Sequence, residues 1–136
     1  MDEREMRRRA AEATVARVGT IDHSGRVHVV PIVFVINGDT LYSSTDEHPP
    51  AKRLRNLQRD PRTTILVDIY DDDWSKVWWV RMRGTGRVVE DEAERDGARK
   101  LLWDKYPQFT KSLPSEGGGP VMAVDISEWS GWSYTD

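Results

Sequence analysis

The chain is predicted to be mainly β, with six largely antiparallel strands closing into a small barrel and helices placed between them. Three observations predict this. Runs rich in β-branched residues and bounded by turn residues recur from TVARVGTID near the start to PVMAVDISEWSGWSY at the end. Asn37-Gly38 joins two of these runs, and both residues tolerate the positive φ of a tight type I′ hairpin. Gly84 and Gly86 interrupt the long run VWWVRMRGTGRVV, as barrels do where a strand turns a corner.

Taken in order, Asp2 to Glu12 places acids before Arg7, Arg8 and Arg9, the charge order that suits a helix macrodipole. Thr14 to Asp22 is the first strand, ending at the turn signal Ser24-Gly25. Val27 to Ile36 (VHVVPIVFVI) is the second, apolar at almost every position, so both its faces are expected to be covered. Pro31 within it implies a bulge or an edge lacking one ladder bond. Thr40 to Ser44 is the third strand. Pro49 and Pro50 suit a helix start, Ala51 to Arg59 continues the helix, and Asp60-Pro61 ends it. On that helix Leu54 and Leu57 pack inward, with Lys52, Arg55, Asn56 and Arg59 displayed around the rest. Arg62 to Tyr70 is the fourth strand, and the Asp71-Asp72-Asp73 loop leads to the fifth, Val77 to Val89. Glu92 to Tyr106 carries Ala93, Ala98, Leu101 and Leu102 at near-helical spacing and stops at Pro107. Gln108 to Gly119 reads as a mobile loop, and Pro120 to Tyr134 closes the chain as the sixth strand.

At 136 residues the chain is one domain, 1–136, built around one core. With 20 Lys+Arg against 23 Asp+Glu, the net charge of -3 argues against a polyanion binder, so nucleic acid is not an expected partner. No apolar run reaches the roughly 20 residues that span a bilayer, and the start MDEREMRRR lacks a signal-peptide apolar segment. A cytoplasmic protein without membrane contact is expected. The absence of cysteine excludes disulfides and thiolate chemistry, and three scattered histidines do not make a zinc site. Asp71, Asp72 and Asp73 lack the spacing of a calcium loop and read as an exposed turn. Six tryptophans exceed what a small core needs, so some are expected to face a partner subunit or a planar ligand.

The stretch from Leu41 to Pro61 concentrates the chemistry. A strand end bearing Ser43, Ser44 and Thr45 is followed closely by Lys52, Arg53 and Arg55, which gathers hydroxyls and positive charge as a phosphate requires. The same residues also suit a capped turn and a solvated helix face, and both readings stand. His28 and His48 carry no catalytic assignment. Trp78 and Trp79 alternate across their strand, so at most one lies on the core side, and the other meets a helix, a partner subunit or a ligand ring.

The motifs VHVVPIVFVINGDTLYSS, KRLRNLQRDPR, VRMRGTGRVV and DISEWSGW, in this order over nearly the whole chain, resemble the FMN-binding split barrel superfamily of the pyridoxamine-phosphate oxidases. DDDWSKVWWVR and the terminal WSGW look closest to its branch of coenzyme F-420-dependent oxidoreductases. The resemblance implies a homodimeric, six-stranded antiparallel split β-barrel with two cofactors at the subunit interface. The cofactor implied is F-420, with FMN as the alternative. Its ring is expected along Val30, Pro31 and Ile32, its phosphates near Tyr42, Ser43, Ser44, Thr45, Lys52, Arg53 and Asn56, with Trp79 and Trp129 at its sides. The implied activity is hydride transfer to a small conjugated organic acceptor. An FMN-dependent reductase and a non-catalytic flavin or haem carrier are the alternatives. Family members commonly begin the basic helix with Lys-Ala or Arg-Lys, whereas this chain has Lys52-Arg53, so either residue can meet the phosphate. The Arg-Leu-His-Asp-Arg segment with which pyridoxamine-phosphate oxidases grip substrate is absent, and vitamin B6 oxidation is therefore disfavoured.

Overall fold

The computed structural model describes residues 1–45, 51–107 and 119–135. These form three α-helices and seven strands in the order α1 (Glu3–Glu12), β1 (Ala16–Ile21), β2 (Val27–Ile32), β3 (Val35–Asn37), β4 (Thr40–Ser44), α2 (Lys52–Arg59), β5 (Arg62–Ile69), β6 (Trp78–Val88), α3 (Glu92–Lys105) and β7 (Val121–Ser133). Asp71 and Asp73 accept hydrogen bonds from the Asp73 and Ser75 N–H groups, which makes the acidic triplet the lead-in to a 3₁₀ turn at Trp74–Lys76. His48, Pro49, Pro50 and all but the last residue of the expected Gln108 to Gly119 loop lie outside the described residues.

The seven strands form one antiparallel sheet in the order β2-β1-β5-β6-β7-β4-β3. β2 and β3 are therefore its two edges, yet only Val33 and Phe34 join them. Three Cα steps reach about 11 Å at most, so the sheet must curl until its edges nearly meet. This is a half-barrel, split along the β2/β3 seam. Phe34, fully buried, plugs the seam. Its N–H donates to the Tyr106 hydroxyl at 3.1 Å, and that hydroxyl lies 2.7 Å from the Thr14 carbonyl, to which it donates.

The seam corrects two expectations. Val27 to Ile36 is two strands rather than one, which raises the count from six to seven. An apolar run conceals such a corner because both strands place apolar residues inside. The second run is also not covered on both faces: Val27 and Val29 are 68% and 59% exposed, on the outward face of an edge strand. Pro31 lies on that edge, opposite Arg17.

Inside the curl, Val18, Ile65, Val67, Val80, Met82 and Val124 pack with Phe34 and Leu41, and α2 adds Leu54 and Leu57. Each fully buried leucine contributes about 1.5–3 kcal/mol. α2 fits closely because Gly86 has no side chain; a Cβ there would collide with Leu57. A second cluster, comprising Tyr42, Val89, Ala98, Val121 and Ala123, has Ala98 on α3. Asp2 and Asp91 cap α1 and α3, accepting from the Glu5 and Glu94 N–H groups at 2.8 Å. Asn56 departs from its expected display: it is 1% exposed, donates to Thr20 Oγ1 at 3.0 Å and accepts from Arg59 at 3.1 Å.

At the end of α3 the Lys105 ammonium sits 3.7 Å from the Phe34 ring centroid, buried and without a hydrogen-bond acceptor among the described residues. Burial pushes its pKa down to about 8. The ring quadrupole offsets part of the desolvation, and the remainder opposes folding while the amine is charged. Lys105→Met is expected to raise the melting temperature at pH 7 by about 3 °C. Between pH 8 and 10.5 the unfolded chain binds the proton that the folded chain has lost, so wild-type stability rises with pH there. The variant loses that slope, and melting curves over this range check it.

Candidate functional site

The outward face of β5, β6 and β7 carries a concavity of about 610 Å³, lined by Trp74, Trp79, Trp132 and Tyr134 with Leu66 and Arg81 among its other walls. Strand alternation builds it. Trp79 lies directly across from Asp68 on one side and Trp132 on the other, so two indoles emerge side by side from adjacent strands. The 3₁₀ turn brings Trp74 to Tyr134, ring centroids 6.3 Å apart at 71°, and Tyr134 meets Trp132 at 6.3 Å and 82°. These are edge-to-face contacts, favoured by aromatic quadrupoles. The Tyr134 N–H donates to the Val77 carbonyl at 3.1 Å, holding the chain after β7 against the concavity. At its side Arg17 pairs with Asp68 at 2.9 Å.

The residues singled out in the sequence do not converge within one chain. Trp79 lies in the concavity. Trp78, on the opposite face, packs against the core, with the Arg9 guanidinium 5.5 Å from its ring. Trp129 is half-buried, with the Arg7 guanidinium 4.7 Å from its ring. On β2 Pro31 is exposed, whereas Val30 and Ile32 belong to the core packing. On β4 alternation separates the four candidates: Tyr42 and Ser44 share one face, Ser43 and Thr45 the other. Tyr42 packs in the second cluster and donates to Glu94 at 2.7 Å. Ser43 is 1% exposed, and its hydroxyl has no hydrogen-bond partner among the described residues. Ser44 is half-buried, and Thr45 is buried.

The basic corner sits at the start of α2. Lys52 is exposed and lies 3.7 Å from Asp22, whose carboxyl is held below its ordinary range by the Arg26 and Ser24 N–H groups and by Lys52. Arg53 is half-buried. Ala51 offers no side chain to cap this helix, and the positive end of its dipole lies at this corner. α2 packs at Gly86, seven residues along β6 from Trp79, or about 23 Å at the rise of a strand.

Trp74, Trp132, Tyr134 and Arg81 were not singled out as candidates. Their signal was the aromatic density of DDDWSKVWW and WSGWSY. Without the pairing of β6 with β7, nothing places those two segments side by side.

The chain matches the family described as pyridoxamine 5′-phosphate oxidase over residues 2–133. Among solved structures it is similar to a conserved hypothetical protein from Mycobacterium tuberculosis, with TM-score 0.80 and 17% identity, over 98% of this chain and 85% of the other. A FAD-binding protein from Mycobacterium smegmatis gives TM-score 0.71 and 21% identity, over 97% and 94%. A haem-binding protein from the same organism gives TM-score 0.78 and 19% identity, over 97% of this chain and 54% of the other. At these identities the structures share the fold.

Proposed function

The chain belongs to the pyridoxamine 5′-phosphate oxidase family, and from that premise we propose that it is a cytoplasmic, homodimeric oxidoreductase using coenzyme F-420. Its partner substrate is a small conjugated organic acceptor. The observation that carries the reading is the aromatic concavity on the outward sheet face. A planar deazaflavin ring needs a flat apolar wall, and Trp79 and Trp132 supply one. The uncapped, basic start of α2 suits the phosphodiester and glutamate tail of F-420, through Lys52 or Arg53. Lys52 and Arg53 do not line the aromatic concavity, and a second copy that brings its α2 to this chain's aromatic face would join the two. Exposed Val27 and Val29 give that copy an apolar surface to cover.

The bound cofactor would supply the hydride. The protein's own part is orientation, dryness and charge: the indoles hold a ring flat and exclude water, and the α2 corner holds the anionic tail. FMN is the alternative on the same scaffold. A flavin or haem carrier without turnover is a further reading, favoured by what two structural relatives are named for binding.

A visible spectrum of the purified protein, followed by titration with F-420 and with FMN, separates these readings. Binding of F-420 at micromolar concentration with turnover of an acceptor is the expected result, and failure of both ligands to bind ends the hydride-transfer reading. Replacing Lys52 and Arg53 together by alanine is expected to weaken F-420 binding at least about tenfold. The melting temperature should fall only a little, because Lys52 is an exposed helix charge and Arg53 is half-buried.

A further inference from the structure

We propose that the aromatic concavity is a binding site for a planar aromatic monocarboxylate, with Arg81 as the residue that recognises its charge. Of the five arginines carried by strands, Arg17, Arg62, Arg83 and Arg87 each have a carboxylate partner within 4.0 Å, at Asp68, Asp60, Glu128 and Glu94 respectively. Arg81 has none among the described residues, and its Nε is buried without a hydrogen-bond partner. Its guanidinium lies 5.2 Å from the centroid of the Trp79 ring, which orients the planar fork. Directly across the ladder stands Ser130, whose hydroxyl is likewise buried and unpartnered.

Arg81 without a carboxylate partner and the Ser130 hydroxyl without a hydrogen-bond partner, both among the described residues, stand beside Trp79 and Trp132 and match a carboxylate attached to a flat ring. The carboxylate meets the guanidinium fork bidentately, and the ring stacks on the indoles. Arg81 as the one strand arginine without a carboxylate partner among the described residues, with Asp68 close by, disfavours a dianion such as a phosphate monoester. The volume of about 610 Å³ accommodates a small aromatic acid. The function proposed above places a cofactor ring against the same indoles, so acid and cofactor ring compete for this wall, and binding of the acid to the cofactor-free protein does not rest on that function.

The test uses cofactor-free protein and trans-cinnamate as the probe, followed by quenching of tryptophan fluorescence and by calorimetry. Cinnamate is expected to bind at least about tenfold more tightly than its methyl ester, the discrimination a charge-assisted hydrogen bond provides. Arg81→Met should abolish that preference while retaining ester binding, which also shows that the variant is folded, and Arg81→Lys should restore part of it. Equal binding of acid and ester, or a preference surviving in Arg81→Met, overturns the proposal. So does binding that vanishes as the protein associates, because the concavity would then belong to a second copy. Cinnamate binding with no binding of F-420 or FMN keeps the site and removes the hydride-transfer reading.

Discussion

Gly84→Ala is expected to remove much of the chain's stability, with a cost of about 4 kcal/mol against a total of about 5–15 kcal/mol. The reason is backbone, not side chain. Opposite Gly84 the β6/β7 ladder slips by one residue: Arg83 pairs with Glu128 but Gly84 pairs with Ile126, which leaves Ser127 as the extra residue of a bulge. The slip presses the Asp125 carbonyl onto the position a Cβ would occupy. A backbone carbonyl in a central ladder cannot swing away without breaking hydrogen bonds on both sides. Gly86→Ala meets the movable ends of Leu57 and Thr63 instead and should cost less. Gly97 lies within α3 with open space around its missing Cβ, and its replacement by alanine should stabilise by about 0.5–1 kcal/mol. Urea unfolding followed by tryptophan fluorescence orders the three variants, and a Gly84 variant as stable as the Gly97 one would contradict the bulge.

These glycines also show what sequence can reveal. Asn37-Gly38 and Ser24-Gly25 announce turns through chemistry local to a few residues, and both glycines have positive φ, +64° and +79°. The expected bend or bulge at Gly84 and Gly86 was placed in the fifth predicted strand, whereas the extra residue, Ser127, lies on β7 opposite Gly84. The corner at Val33-Phe34 was not, because it is set by closure of the sheet. Asn56 reads as a displayed polar residue until β1 supplies Thr20 as its hydrogen-bond partner. Of the candidate site, Trp79 and the basic start of α2 were visible as motifs. The concavity was not, since it arises from the register that sets Trp79 beside Trp132.

A second large effect is expected from Arg87→Met. Arg87, one residue beyond Gly86, grips both Glu94 oxygens at 2.8 Å and Asp125 through Nε at 2.8 Å. Tyr42 donates to Glu94 at 2.7 Å and Thr40 to Asp125 at 3.2 Å, so α3, β4, β6 and β7 meet at one guanidinium. Truncation leaves two carboxylates without their cation. The groups are partly exposed and water covers part of the loss, so the expected cost at neutral pH is about 2 kcal/mol. Hydrogen bonds from Arg87 and then Tyr42 hold Glu94 down to about 2, and Arg87 and Thr40 hold Asp125 below its ordinary value. Both folded-state values lie under the unfolded ones of about 4.3 and 3.9. The stabilisation is therefore complete above about pH 4.5 and is lost as pH falls through about 2. Wild type and variant should differ most at pH 7 and converge towards pH 2. Denaturant unfolding at pH 7, 4 and 2.5 measures the gap, and a gap that stays constant with pH would mean that the Arg87 ion pairs do not hold α3 to the sheet.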